Sequence, residues 1–142
     1  MTRVDLDTSI GYALKQTATA LRTAMEASLR PLGLSVPQYS CLEILDARPE
    51  ISNADLARGV FVTRQAMHQL LGGLQDAGLV SAGGQGRIQR YSLTAEGRRA
   101  VKAASAAVAG VEEQMLSGLE ATERQRLLGD LERCRIALSS SS

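Results

Sequence analysis

The sequence has no tryptophan, one phenylalanine and three tyrosines, so its apolar interior has to be built from Leu, Ala, Val, Ile and Met. That mix favours packed helices. Two cysteines, Cys41 and Cys134, are too few and too far apart for a disulfide framework or a metal knuckle, and they suit a reducing compartment. No apolar run approaches the roughly 20 residues needed to span a bilayer. Arg3, Asp5 and Asp7 do not introduce an apolar signal segment, so the expectation is a soluble, cytoplasmic protein. His68 is the single histidine and no dense carboxylate cluster accompanies it, which argues against a metal site. There is no phosphate-binding G-x-x-x-x-G-K-S/T element, no Rossmann fingerprint and no Ser, His and acid set at a recognisable motif. Neither an enzyme nor a bound cofactor is expected.

The 142 residues amount to one domain by length. Net charge is only +1, but it is unevenly spread. Between Arg58 and Ala100 stand six arginines, Arg58, Arg64, Arg87, Arg90, Arg98 and Arg99, against only Asp76 and Glu96. The flanking segments are balanced or slightly acidic. A localised positive stretch of this kind is what a phosphate backbone selects.

Periodicity places the elements. Ile10, Leu14, Leu21, Met25 and Leu29 form one stripe of a long helix that ends before Pro31 and Gly33. Ser35 and Gln38 make a capping box for a second helix over about Val36 to Ala47. Ser52 with Asp55 opens a short third helix. Thr63 caps a fourth, carrying Met67, Leu70, Leu71 and Leu74 and ending at Gly78. Leu79 to Ala82 reads as a strand, Gly83 to Gly86 as a turn and Ile88 to Leu93 as the returning strand. Thr94 starts another helix, with Val101, Ala104, Val108, Val111 and Met115 on one face. Thr122 with Gln125 boxes a last helix through about Leu138, and the Ser139 to Ser142 run is a solvated tail. The fold class is mainly α with a small β-hairpin wing.

A short helix, a tight connection and a longer helix between Ser52 and Ala77 constitute a helix-turn-helix. The longer helix opens with Thr63, Arg64 and Gln65 and continues through His68 and Gln69. Its first turn offers long hydrogen-bonding side chains, free backbone amides and the positive end of the helix dipole, which suits entry into a major groove. Arg64 matches guanine, and Gln65 or Gln69 matches adenine. The hairpin tip is nearly all glycine with Arg87 and Arg90 alongside, as a wing over a narrow minor groove requires. Any one such Arg or Gln is more often simply solvated; the joint arrangement carries the reading.

These residues resemble the MarR family. The resemblance is carried by Leu56-Ala57-Arg58, Val62-Thr63-Arg64-Gln65-Ala66, Leu70, Leu74, Gly78-Leu79-Val80 and Leu93-Thr94-Ala95-Glu96-Gly97. Leu34-Ser35-Val36-Pro37-Gln38 matches the family's entry to its second helix, and the first and closing helices extend the likeness from about Thr8 to Leu138. It implies a homodimer that reads an inverted-repeat operator in double-stranded DNA, acting as a repressor released by a small aromatic or phenolic effector. Residues 8–33 and 98–138 would form the dimerisation helices and residues 35–97 the winged lobe. The apolar positions of the terminal helices exceed what one small chain covers, which independently favours association.

The sequence departs from the family at the wing. Counting back from Leu93-Thr94, the family's minor-groove Arg falls on Arg87, and Gln85 occupies the place of the Asp that commonly braces it. By resemblance Tyr12 and Tyr39 lie near the effector crevice and Arg22 is available to a carboxylate, but each is equally readable as core or surface, and no effector residue is assigned. Two other functions compete: a regulator of the same fold acting through protein partners, and a thiol-based redox sensor using Cys41 or Cys134. Cys41 reads as a buried thiol of the second helix. Cys134 lies between Arg133 and Arg135.

Overall fold

The structure, a computed structural model, describes residues 2–84 and 90–139. The chain divides into two compact units, Met1–Val111 and Glu112–Ser142. Among the described residues no helix is long and apolar enough to cross a membrane.

The first unit begins with helix α1, Ile10–Leu29, capped by the Ser9 hydroxyl, which accepts from the Tyr12 amide at 3.1 Å. A single 3-10 turn over Arg30–Leu32 and Gly33 at φ +74° close it. Helix α2, Val36–Ala47, starts on the expected capping box: the Gln38 amide donates to Ser35 Oγ and the Ser35 amide donates to Gln38 Oε1. Helices α3, Asn53–Val60, and α4, Arg64–Asp76, are capped by Ser52 and Thr63 as their sequences require. Strands β1, Val80–Gly83, and β2, Arg90–Leu93, pair antiparallel with Val80 opposite Leu93 and Gly83 opposite Arg90. Helix α5 is Ala95–Met115 and helix α6 is Ala121–Ser139.

Helix α2 is the hub, touching α1, α3, α4 and β2. Leu29, Leu42, Leu56, Met67, Leu71 and Leu74 are fully buried around it, joined by Val80, Tyr91 and Leu93 from the hairpin and by Val101 and Ala104 from α5. Each such aliphatic side chain contributes about 2 kcal/mol by leaving water. No buried side-chain nitrogen or oxygen among the described residues lacks a partner, so nothing polar works against this core.

Two expectations need correction. The first strand begins at Val80, one residue later than its apolar run, because Leu79 is used to close α4: its amide donates to the Leu74 carbonyl at 3.0 Å while Gly78 sits at φ +78°. The returning strand is seen from Arg90; residues 88 and 89 lie outside the described residues. The second concerns α6, in the second unit. Thr122 is inside the helix and does not cap it. The helix starts at Ala121, one residue before Thr122, and the Glu123 carboxylate takes up the amide ahead of it: its Oε1 accepts from the Glu120 amide at 2.9 Å.

In the same unit Arg124 closes the α5–α6 turn. It donates to the carbonyls of Leu116 and Leu119 at 2.9 and 3.0 Å and to Glu113 Oε2 at 2.9 Å. Helix α6 itself has no buried residue; Leu127, Leu128, Leu131, Ile136 and Leu138 are exposed in the single chain.

Candidate nucleic-acid interface

Helix α4 presents two faces because its apolar residues recur at helical spacing. Met67, Leu71 and Leu74 point into the core, so Arg64, Gln65, His68 and Gln69 are left on the exposed side of the first two turns. Thr63 Oγ1 accepts from the Ala66 amide at 3.1 Å, which fixes where the helix begins and leaves the amides of Arg64 and Gln65 without an intrahelical acceptor. The result is a cationic and amide-bearing stripe at the positive end of a helix dipole. Further along, Gly72 and Gly73 leave that helix without side chains; a Cβ at either would meet nothing within 4 Å. Each costs about 1 kcal/mol against alanine in a helix interior. The sequence reading missed this pair, although two adjacent glycines inside an apolar-periodic segment were visible.

A cleft of about 230 Å³ separates the start of α3 from α4, lined by Asn53, Ala54, Arg64, Met67, His68 and Leu71. Arg64 and His68, one helical turn apart, thus share one wall. Arg64 forms no ion pair with any described residue, whereas two other arginines of the basic stretch are engaged within the protein. Arg58 is bonded to Asp55, and its guanidinium, helped by the Ser52 hydroxyl, holds the Asp55 carboxyl below its ordinary value. Arg90 donates to the Glu50 carbonyl at 2.9 Å and lies 4.0 Å from the Glu50 carboxylate, tying β2 to the connection between α2 and α3. Arg87 and Gln85, the wing residues on which the minor-groove reading rests, lie outside the described residues.

The hairpin is locked to α4 and α5 at its base. Ser81 and Ser92 hydroxyls are 3.3 Å apart across the ladder. Thr94 bonds its amide to the Leu79 carbonyl at 3.1 Å, donates its hydroxyl to the Gly78 carbonyl at 2.7 Å and accepts from the Gly97 amide at 3.0 Å.

Cys41 is fully buried in α2, and that burial pushes its thiol up to about 12, far from a reactive thiolate. Cys134 is exposed on α6, but the guanidiniums beside it in sequence are bonded to Asp130 and Glu132. Among the described residues no group of three or more His, Cys, Asp or Glu side chains is placed to hold a metal ion. Tyr39 donates to Glu43 Oε2 at 2.6 Å and Arg22 is paired with Glu26 at 3.1 Å. A cleft of about 420 Å³ between α2 and α5 is lined by Glu43, Asp46, Arg98 and Lys102 among others; Tyr12 and Arg22 do not line it.

A capped two-helix unit with an exposed basic stripe, followed by a two-stranded hairpin, defines a winged helix-turn-helix protein. The family model described as MarR family matches residues 32–88. The HTH-type transcriptional repressor Rv2887 of Mycobacterium tuberculosis is 38% identical over 130 residues, covering 89% of this chain and 94% of that protein. Crystal structures of the Mycobacterium tuberculosis MarR family protein Rv2887 share the fold. Its complex with salicylic acid superposes with a TM-score of 0.75 at 37% identity, over 90% of this chain and 97% of that one. Its complex with DNA gives a TM-score of 0.75 at 37% identity, over 90% and 98%. The chain belongs to the MarR family of transcriptional regulators.

Proposed function

We propose that this chain is a homodimeric, sequence-specific repressor that binds an inverted repeat in duplex DNA through α4 and the hairpin. The observation that carries the reading is the exposed stripe of Arg64, Gln65, His68 and Gln69 on the capped first turns of α4, on a fold whose relative Rv2887 was crystallised with DNA. Arg64 is the direct reader, with Gln65 and Gln69 beside it; Thr63 orients them by fixing the helix start, and His68 adds a further polar contact. Arg87 supplies the wing's groove contact, and Arg90 holds the base of the wing against Glu50. The protein acts on DNA in the cytoplasm and has no catalytic role.

Dimerisation is assigned to α1, α5 and α6. Ile10, Tyr12 and Leu14 on α1 and the exposed leucines and isoleucine of α6 would otherwise face water, a disfavoured state for so many large side chains. Because Rv2887 was also crystallised with salicylic acid, a small aromatic acid is the proposed effector. It would release DNA only by binding one arrangement of the dimer better than the other.

The test is binding of the purified protein to fragments of DNA flanking its own coding region at several salt concentrations, with Arg64→Ala alongside. Selection of one inverted repeat, weakened about tenfold to a hundredfold by Arg64→Ala, is the expected result. Equal, weak binding of every fragment and no effect of the substitution would sink the reading and leave the protein-partner function in its place. Addition of salicylate to the complex then checks the effector: a lowered affinity supports it.

A further inference from the structure

Phe61 stands in the turn between α3 and α4 with φ +64° and ψ +43°, and it is the single non-glycine residue with positive φ among the described residues. It is also 92% exposed, more than any other large hydrophobic described. The backbone imposes the conformation. The Phe61 amide donates to the carbonyls of Ala57 and Arg58, and the Val62 amide donates to Ala57 at 3.0 Å, which closes α3 and redirects the chain into α4. Glycine meets that left-handed geometry without steric cost, and a phenyl ring in water adds a second penalty. A residue disfavoured on both counts owes its place to something outside the isolated chain.

Its position narrows what that is. Phe61 precedes the α4 cap Thr63 by two residues, on the end of the helix that carries the free amides of Arg64 and Gln65. When such a helix enters a major groove N-terminus first and its partner helix crosses the backbone, the turn between them meets the rim of the groove. The rim exposes deoxyribose faces and, deeper, thymine methyl groups, both of which an aromatic ring covers well. A protein partner fits less well. Among the described residues no other large hydrophobic between Leu32 and Met115 is exposed, so no neighbour in the helix-turn-helix or the hairpin extends the ring into an apolar patch.

Resting on the DNA-binding reading above, we infer that Phe61 is a non-ionic DNA contact whose ring covers deoxyribose or thymine methyl surface at the edge of each half-site, alongside the charged contact of Arg64. The experiment uses the full chain and a duplex selected from random-sequence DNA by the wild-type protein. Phe61→Gly relieves the backbone and removes the ring; Phe61→Asn tolerates the same backbone and controls for a loosened turn. Both are expected to keep the wild-type Tm within a few degrees and to weaken binding about tenfold. The slope of log affinity against log salt should stay at the wild-type value, because no phosphate charge is lost. Arg64→Ala serves as the contrast.

Wild-type affinity in Phe61→Gly would overturn the inference and assign the ring to another surface. A shallower salt slope together with weaker binding would also overturn it, since that marks a displaced α4 and not a lost apolar contact. The two readings fail separately. If the wild-type protein selects no duplex, DNA recognition and the Phe61 contact fall together; if wild type and Arg64→Ala behave as expected while Phe61→Gly binds normally, only the Phe61 contact falls.

Discussion

Thr94 Oγ1 donates to the Gly78 carbonyl at 2.7 Å and accepts the Gly97 amide at 3.0 Å, so one hydroxyl joins the end of α4 to the start of α5. In the same place α5 approaches the residue before β1 so closely that a Cβ on Gly97 would lie 2.0 Å from the Leu79 carbonyl oxygen. The two segments Gly78-Leu79-Val80 and Leu93-Thr94-Ala95-Glu96-Gly97 are therefore halves of one contact that holds the hairpin between α4 and α5.

Gly97→Ala cannot be accommodated by a side-chain move, because the obstacle is backbone. It should cost about 3 kcal/mol or more in urea unfolding. Thr94→Val, which keeps the shape and removes the hydroxyl, should cost about 1–2 kcal/mol. A Gly97→Ala protein with wild-type stability would show that the approach of α5 to Leu79 is looser than described.

Arg90→Ala tests whether this arginine braces the wing or touches DNA. With its guanidinium on the Glu50 carbonyl, the expected result is severalfold weaker binding at an unchanged salt slope. A slope smaller by about one unit would show that the Arg90 charge engages DNA, as expected of an arginine beside the glycine-rich tip of a wing over a minor groove.

Arg124→Ala removes three bonds from the α5–α6 turn and should lower Tm. Arg124 holds the Glu113 carboxyl below its usual 4.5, chiefly through their hydrogen bond. A depressed carboxylate contributes stability above the unfolded value and loses it as pH falls through the folded one. The Tm difference between wild type and variant should therefore be full at neutral pH and shrink below about pH 4.5. A pH-independent difference would mean that the carbonyl contacts, and not the ion pair, hold the turn.

Iodoacetamide should modify Cys134 in the native protein and reach Cys41 only on unfolding, as mass spectrometry of the intact chain would show. Burial raises the Cys41 thiol from 9.0 to about 12, so the native state holds its proton more tightly. Between those values the unfolded chain binds fewer protons, and stability should decline as pH climbs from about 9. Rapid native modification of Cys41 would reopen the redox-sensor reading.

Most of the candidate interface was legible in the sequence. Ser52 and Thr63 announce helix starts through local hydroxyl-to-amide bonds, and Met67, Leu71 and Leu74 recur at a spacing that forces Arg64, Gln65, His68 and Gln69 outward. These signals act over three to seven residues, which is why a linear reading captures them. The same locality explains one error: Thr122 and Gln125 carry the right spacing for a box, yet Glu123 reaches back to Glu120 first and starts the helix earlier.

Sequence alone thus determined the helix caps, the buried and exposed faces of α4, the order of helix-turn-helix and hairpin, and the concentration of arginine between them. Tertiary structure decided what each of those groups is free to do. Glu50 takes up Arg90 across 40 positions of sequence, while Arg64 is left without an ion pair among the described residues. Leu79 forbids a side chain at Gly97, and the closure of α3 forces Phe61 into a left-handed turn with its ring in water. Backbone carbonyls and steric volume carry no residue-specific signature, so these partners became visible only once the chain was folded.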